Sequence, residues 1–178
     1  MKNTSINVLL IEAVGSDRRF LISMTAAFPI AARHKDFDLG YLSELETYCD
    51  QRQIMEPRGR VLGGSSSKNG MVTNGENPID YDQWSRNSLK NWAFKYCLPY
   101  FRKMETSEKG PNDWCGDCGP QIIETAKEKH KLDQAYLVAG EQAGYSYTKD
   151  QNGEILVGFH VAQSFTDNGR RCSAARAY

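Results

Sequence analysis

Residues 58–72 read Arg-Gly-Arg-Val-Leu-Gly-Gly-Ser-Ser-Ser-Lys-Asn-Gly-Met-Val, a glycine- and serine-rich stretch with apolar residues on both sides. Gly63 and Gly64 allow the backbone to approach a ligand closely, because glycine has no Cβ. The serines that follow are good helix N-caps and hydroxyl donors. A loop of this kind that enters a helix points free N–H groups at an anion. The stretch therefore predicts a phosphate- or pyrophosphate-binding loop, although flexible linkers have a similar composition.

The composition is that of an ordinary globular protein. The chain has 178 residues, 40% of them hydrophobic, and its 22 basic and 22 acidic residues cancel. A general nucleic-acid or anionic-membrane surface would show a basic excess, so neither partner is predicted. No apolar run reaches the roughly 18 residues of a transmembrane span. Residues 1–7 are polar and lack the apolar core of a signal peptide, which leads us to expect a cytoplasmic location.

A short apolar run precedes the first acidic residue. Ile6–Ile11 predicts a buried parallel strand, and Glu12 closes it. At the end of such a strand in a dinucleotide-binding sheet, an acid can accept hydrogen bonds from ribose hydroxyls; an exposed strand-end carboxylate is the simpler alternative. The usual glycine-rich turn lies about 20 residues before that acid. Only eleven residues, none of them glycine, precede Glu12, so we expect the first strand and its pyrophosphate turn to be missing.

Periodicity and turn residues predict the remaining elements. A helix is expected from Asn77-Pro78 onward, because proline is favoured in a first helical turn. Pro99 is expected to kink or divide a second helix. That second helix is predicted over 91–104, a third over 130–143, strands over 121–125 and 157–165, and a turn over 167–169.

The cysteines and histidines give no catalytic or metal-site prediction. Cys115 and Cys118 form a C-x-x-C in a glycine-rich loop, without the βαβ context of a redox motif. A zinc site needs two further ligands, and no second pair is present. The three histidines show no metal spacing and no nucleophile beside them. A cluster of aromatic residues is interpreted as helix packing: Tyr81, Trp84, Trp92, Phe94, Tyr96, Tyr100 and Phe101.

Several separated motifs, in the right order, closely resemble the glucose-methanol-choline (GMC) oxidoreductases. The resemblance runs nearly end to end, and the subgroup it resembles most is bacterial choline dehydrogenase with its alcohol-dehydrogenase relatives. The motifs that carry it are 8–13, 58–72, 77–84, 91–103, 119–120 and 169–178.

The resemblance implies a mixed α/β fold. Residues 1–125 would be a partial, Rossmann-like FAD-binding domain, and 126–178 would begin an interleaved substrate domain with an antiparallel sheet. The cofactor would be FAD, which takes hydride from the carbinol carbon of a small-molecule alcohol. Glu12 would bind the adenosine ribose. The residues that would line the pyrophosphate, ribityl and isoalloxazine groups are Gly63, Gly64, Ser65, Asn69, Gly70, Met71 and Val72.

The sequence departs from the family pattern at several points. The histidine that takes the alcohol proton lies in a carboxy-terminal segment that this chain lacks, and none of the three histidines can be given its role. Val14 stands in place of a glycine. Lys68 replaces a small apolar residue or a flavin-linked histidine, and its side chain would either reach a flavin phosphate or face solvent. Thr73–Glu76 replaces a more aromatic and basic stretch.

These observations lead us to expect a fragment of an FAD-dependent oxidoreductase that acts on the CH–OH group of an alcohol. Alone it is expected neither to hold FAD tightly nor to turn over. The alternative is a non-catalytic remnant that binds a partner chain or nothing. The alcohol, the electron acceptor, the oligomeric state and the role of the C-x-x-C stay open.

Overall fold

A computed structural model describes residues 5–75, 77–127 and 130–178. The chain divides into two compact units, Met1–Gly70 and Met71–Tyr178. Helices and small sheets both occur, which agrees with the predicted mixed α/β class. No helix within the described ranges is long and apolar enough to cross a membrane.

The first unit is built from short elements around a small apolar core. Its two α-helices and one antiparallel strand pair leave much of the backbone to turns. Ile22, Phe37 and Val61 are buried together, and Leu21 packs against them. The elements are α1 (Phe20–Ser23), α2 (Phe28–Ala31), β1 (Tyr41–Leu42), β2 (Met55–Glu56) and 3₁₀ turns at Thr25–Ala27, Thr47–Cys49 and Gly64–Ser67.

The apolar run Ile6–Ile11 is not a strand, so this prediction is wrong. Its apolar side chains are 60–84% exposed. A strand needs a neighbour to take up its N–H and C=O groups, and within the described chain no segment pairs with residues 6–11. The apolar pattern is typical of a buried strand. It does not reveal whether the fold places a partner strand beside the run.

The second unit carries the longer helices and a three-stranded sheet. In that sheet β4 lies in the centre, parallel to β3 and antiparallel to β5, and β6 and β7 form a separate hairpin. The elements are α3 (Pro78–Arg86), a 3₁₀ turn (Lys90–Trp92), α4 (Phe94–Met104), β3 (Glu105–Ser107), β4 (Gln121–Thr125), α5 (Lys131–Gln142), β5 (Gln163–Ser164), β6 (Thr166–Asp167), β7 (Arg170–Arg171) and α6 (Ala174–Ala177).

Local signals placed most of these elements correctly. The Asn77 side chain caps α3 by accepting from the Ile79 N–H. Asn168 and Gly169, at φ 50° and 76°, form the tight turn between β6 and β7. Pro99 lies inside α4 and does not divide it. The strand predicted over 157–165 is regular only at Gln163–Ser164, and Gly158 at φ 143° interrupts the earlier part.

Tyr81 organises the packing of α3 against α4. It is buried, and its ring centroid lies 5.1 Å from Trp84, 5.9 Å from Phe94 and 5.8 Å from Phe101. These are the tilted and edge-on arrangements that aromatic pairs favour. For these four residues the interpretation as helix packing is confirmed.

Candidate functional site

The glycine-rich loop adopts a backbone that needs glycine. Gly63 and Gly64 have φ values of 85° and 56°, both in the left-handed region that other residues adopt only with strain. The helix expected after them is a single 3₁₀ turn, Gly64–Ser67, with Gly63 at its N-cap. The double glycine therefore reverses the chain sharply before the serines.

Gly59 is a site residue that pattern reasoning missed. A Cβ on Gly59 would lie 2.2 Å from the carbonyl carbon and oxygen of Gly64, so only glycine lets the two backbones pack this closely. The Gly59 N–H also donates to the Ser65 hydroxyl oxygen at 3.0 Å. The sequence carried no local signal for it, because the close approach depends on where the fold places Gly64.

Two of the three serines stabilise the loop itself. Ser66 Oγ donates to the Gly63 carbonyl at 2.6 Å, and Ser67 Oγ donates to the Leu62 carbonyl at 2.7 Å. Val61 and Ser67 are buried. A flexible linker would show neither the burial nor the internal hydrogen bonds, so the linker alternative is wrong.

Lys68 takes neither of the two positions that the sequence left open. It is 3% exposed, and its Nζ donates to Asp38 Oδ2, forming a buried ion pair. Burial by itself would raise the pKa of Asp38. The hydrogen bond and charge of Lys68, together with the hydrogen bond from the Gly40 N–H, outweigh this effect, so the pKa lies below its usual range. The pair ties the loop to the segment after Phe37, where Arg60 N donates to Phe37 O at 2.8 Å.

The buried face of the loop contrasts with its open face. Nothing lies within 4 Å of the position that a Cβ would take on Gly64. Ser65 and Asn69 are exposed, and Gly70 is half-buried. These predicted residues therefore share a loop whose underside is anchored while several of its groups remain open to a ligand.

The turn after Glu12 lies beside this loop. The Leu62 N–H donates to the Gly15 carbonyl at 3.1 Å. Glu12 is half-buried and its carboxylate accepts from the Val14 N–H at 3.3 Å. The structure thus brings the segment that carries Glu12 to the glycine-rich loop, although the strand expected before it is not formed.

The last two predicted residues belong to the second unit. Met71 is buried with φ 63°, while Val72 is 53% exposed. The Met71 carbonyl accepts from the Phe165 N–H at 2.9 Å, and Val72 bridges to Ser164 in antiparallel fashion. Val72 also lines a cavity of about 380 Å³ with aromatic residues of α3 and α4 and with Glu105.

The C-x-x-C of the second unit has one buried thiol, Cys115, and one exposed thiol, Cys118. Cys115 is buried, and burial together with the charges of Asp150 and Glu105 raises the pKa of its thiol to about 11. At neutral pH the thiol is therefore protonated, and the thiolate is the nucleophile and metal ligand. Within the described residues no group of three or more His, Cys, Asp or Glu side chains could hold a metal ion.

The histidines have local contacts. His34 stacks on Phe37 with ring centroids 4.8 Å apart. His130 caps α5 by accepting from the Leu132 N–H at 3.2 Å. The Nδ1 of His160 lies 3.2 Å from the Gly158 carbonyl oxygen. None of the three belongs to the glycine-rich loop.

The sequence profile of the GMC oxidoreductases matches residues 13–178. The chain belongs to the GMC oxidoreductase family. Oxygen-dependent choline dehydrogenase from Brucella suis biovar 1 is 41% identical over 177 residues, which are 99% of this chain and 32% of that protein. The same enzyme from Sinorhizobium fredii is 41% identical over 172 residues, 97% of this chain and 31% of the relative.

Solved structures agree with this GMC fold. Pyridoxine 4-oxidase from Mesorbium loti superposes with a TM-score of 0.91 at 28% identity, covering 99% of this chain and 35% of that structure. Formate oxidase superposes with a TM-score of 0.86 at 22% identity, over 99% of this chain and 33% of that one. The family prediction and FAD as its cofactor are confirmed. The chain spans about a third of the length of the curated relatives it matches.

Proposed function

We propose that this GMC chain forms the flavin-loop portion of an FAD-dependent oxidoreductase that acts on the CH–OH group of a small-molecule alcohol, in the manner of choline dehydrogenase. The observation that carries this proposal is the loop at 59–70. Its underside is fixed by the Gly59 packing and the Lys68–Asp38 pair, while Gly64 is open on its free side. A fixed loop that is uncrowded at Gly64 and exposes Ser65 and Asn69 suits the close approach of phosphate and ribityl oxygens.

The residue roles follow from exposure and backbone shape. We assign Gly63, Gly64 and Ser65 to the pyrophosphate, because small residues allow close approach. Asn69 and Gly70 are assigned to the ribityl chain, and Met71 and Val72 to the isoalloxazine. Glu12 is assigned to the adenosine ribose, since an acid at this place can accept from ribose hydroxyls.

The larger organisation is part of the same proposal. Residues 1–125 are assigned to the FAD-binding domain, and 126–178 to the start of the substrate domain. A cytoplasmic location stays a prediction from the sequence.

The proposal gives these residues a binding role and no proton-transfer role. Bound FAD would supply the hydride acceptor, and the loop would hold it. None of the described histidines belongs to this loop. We therefore propose that the 178-residue chain alone binds FAD weakly and does not turn over.

FAD titration of the isotope-labelled chain tests this proposal. Amide resonances of residues 12–15 and 63–72 are expected to shift, while those of the β6–β7 hairpin stay unchanged as an internal control. Dye reduction with choline or a primary alcohol should remain at background. Stoichiometric yellow flavin with alcohol-dependent dye reduction would contradict the claim of inactivity. A titration without localised shifts would contradict the flavin-loop assignment.

The alternative function is that of a non-catalytic, partner-binding piece. One observation favours it: the side chains of Val8–Ile11 are 76–84% exposed, and an apolar run of this kind marks interaction surfaces. Under this alternative the titration shows no response in residues 63–72. Polar substitutions in Val8–Ile11 would then weaken binding to the partner chain, which sedimentation of the mixture measures as loss of the complex.

A further inference from the structure

The segment that follows the loop is held by side chains from far along the chain. The Gly75 N–H donates to Asn152 Oδ1, and the Thr73 N–H donates to the Gln163 carbonyl at 3.0 Å. Gln151 Nε2 donates to the Thr73 carbonyl and, at 2.7 Å, to Asn74 Oδ1. Each of residues 73–75 is therefore hydrogen-bonded to residues 151–163.

These hydrogen bonds continue as a series in which each group donates to the next, and the last acceptor is Asp150. Gln163 Nε2 donates to Asp150 Oδ1 at 2.8 Å, and Asn152 Nδ2 donates to Gln163 Oε1 at 2.6 Å. A carboxylate only accepts, so Gln163 must turn its NH₂ toward Asp150 and its oxygen toward Asn152. Asn152 must then present its own oxygen to the Gly75 N–H. The charge of Asp150 therefore sets the orientation of both amides.

The two glutamines of the network are buried, which makes them sensitive to the loss of a partner. Gln151 is 4% exposed and Gln163 is 3% exposed. A buried amide whose partner is removed stays desolvated without compensation. Long flexible amides are rarely buried at this level. Here the Gln151 side chain bonds to residues 73–74, and the Gln163 side chain bonds to Asp150 and Asn152.

The restrained segment begins with a strained residue. Met71 has φ 63°, a left-handed conformation that is unfavourable for any residue with a Cβ. Such a conformation persists only where the surroundings determine it. The hydrogen bond from Phe165 N–H to Met71 O fixes one side of it, and the bonds to residues 73–75 fix the chain that leaves it. Val72 is thereby held in an exposed position.

We propose that Asn152 and Gln163, oriented by Asp150, are positioning residues that hold Met71 and Val72 in the conformation used to contact flavin. This inference rests on the proposed function, because it takes Val72 as a flavin contact. The two amides act through the backbone of residues 71–75 and touch neither flavin nor alcohol.

The test uses the full chain and its Asn152→Ala variant. Removing the acceptor of the Gly75 N–H is expected to speed the hydrogen exchange of that amide by about tenfold, the size of effect that one lost hydrogen bond of about 1–1.5 kcal/mol gives. The FAD-induced shift of the Val72 amide should fall by at least half, while the shift of Gly64 is retained.

Two further variants separate positioning from general destabilisation. Thr148→Val removes a buried hydroxyl that donates to Ile155 O at 2.9 Å, a bond that lies outside residues 71–75, so the Val72 response should stay at the wild-type level. Asn152→Asp keeps the acceptor for Gly75 but places a second acceptor against Gln163 Oε1, where the Asn152 Nδ2 donor had been. It should restore Gly75 protection and still lower the unfolding midpoint.

The outcomes are distinguishable. Unchanged Gly75 exchange in Asn152→Ala would overturn the network. Faster exchange with an unchanged Val72 response would overturn the positioning role. A wild-type chain with no FAD response would overturn the proposed function and with it the role toward flavin, whereas the exchange data alone would still decide whether Asn152 restrains Gly75.

Discussion

Two consecutive segments of this chain, 59–70 and 71–75, are anchored by different chemistry. The first segment depends on a buried ion pair between Lys68 and Asp38 and on the close packing of Gly59. The second depends on the neutral amides of residues 152 and 163, which lead to a half-buried carboxylate at position 150. A lone charge left in the interior destabilises a fold more than a lone amide does. The ionic segment should therefore be the more fragile under substitution and the more sensitive to acid.

Breaking the ion pair should have the largest effect. Lys68→Met leaves Asp38 buried and unpaired, which should lower the free energy of unfolding by about 3–5 kcal/mol. The double variant Lys68→Met, Asp38→Leu removes both charges and should lose much less. Urea unfolding of the three proteins measures both values. Equal losses in the single and the double variant would show that the unpaired Asp38 carboxylate is not the cause of the loss.

Crowding the packing at Gly59 should have the next largest effect. The Cβ of Gly59→Ala would lie 2.2 Å from the Gly64 backbone, and relieving such an overlap typically lowers stability by about 1–3 kcal/mol. Gly70→Ala is the matched control, since its Cβ would lie 3.6 Å from the Phe28 ring, an ordinary contact. If both variants unfold at the same urea concentration, the packing argument is wrong.

Breaking the neutral network should cost less than breaking the ion pair. Gln163→Leu removes one amide and leaves Asn152 and Asp150 short of a partner, which should lower stability by about 1–3 kcal/mol. Thr148→Val, which also loses a buried donor, serves as the control. Its free energy of unfolding should fall by about 1 kcal/mol. A Gln163→Leu loss larger than that of Lys68→Met would reverse the comparison.

Acid should reduce the stability that the ion pair contributes, and this effect should be smaller than those of the substitutions above. The folded pKa of Asp38 is lowered, so the stability it contributes is present above the unfolded value of about 3.9 and is lost as pH falls through the folded value. The stability difference between wild type and Lys68→Met should therefore shrink as pH falls toward about 4 and below it. Urea midpoints from about pH 3 to 7 measure it. A difference that is constant over this range would exclude an ionised Asp38.

Glu105 should show the opposite sign and the smallest effect. Burial, opposed in part by the Gly116 N–H and reinforced by the Asp150 charge, raises its pKa. A raised folded pKa contributes stability below the unfolded value, and this is lost as pH rises through the folded value. Glu105→Gln should therefore gain stability relative to wild type between about pH 4 and 7. A relative loss over that interval would mean that the ionised form is favoured in the fold.

The sequence predicted what depends on neighbouring residues. The Asn77 cap, the Asn168-Gly169 turn and the end of α5 before Gly144 follow from local hydrogen bonds and backbone freedom, which short patterns record. These parts of the fold can be predicted from the sequence alone. The flavin contacts at Gly63, Gly64, Ser65, Asn69, Gly70, Met71 and Val72 rest on the resemblance and stay a prediction.

Long-range partners could not be predicted in the same way. Asp38 lies 30 positions from Lys68, and Asn152 lies 77 from Gly75. Nothing in either local pattern distinguishes these polar residues from exposed ones. The strand prediction for Ile6–Ile11 was wrong for the same reason, since a strand needs a specific partner strand. Contacts between residues that are far apart in the sequence but close in the fold leave little trace in a single sequence.

The most direct test of the flavin-loop assignment compares FAD binding by Gly64→Ala and Gly110→Ala. Both glycines have positive φ, 56° and 77°, and nothing lies within 4 Å of either Cβ position. The two substitutions therefore impose similar backbone strain, but only Gly64 lies in the loop assigned to pyrophosphate. FAD titration followed by amide resonances should show the response weakened at least several-fold in Gly64→Ala and unchanged in Gly110→Ala. An equal response in the two variants would contradict the assignment of residues 63–72 to flavin.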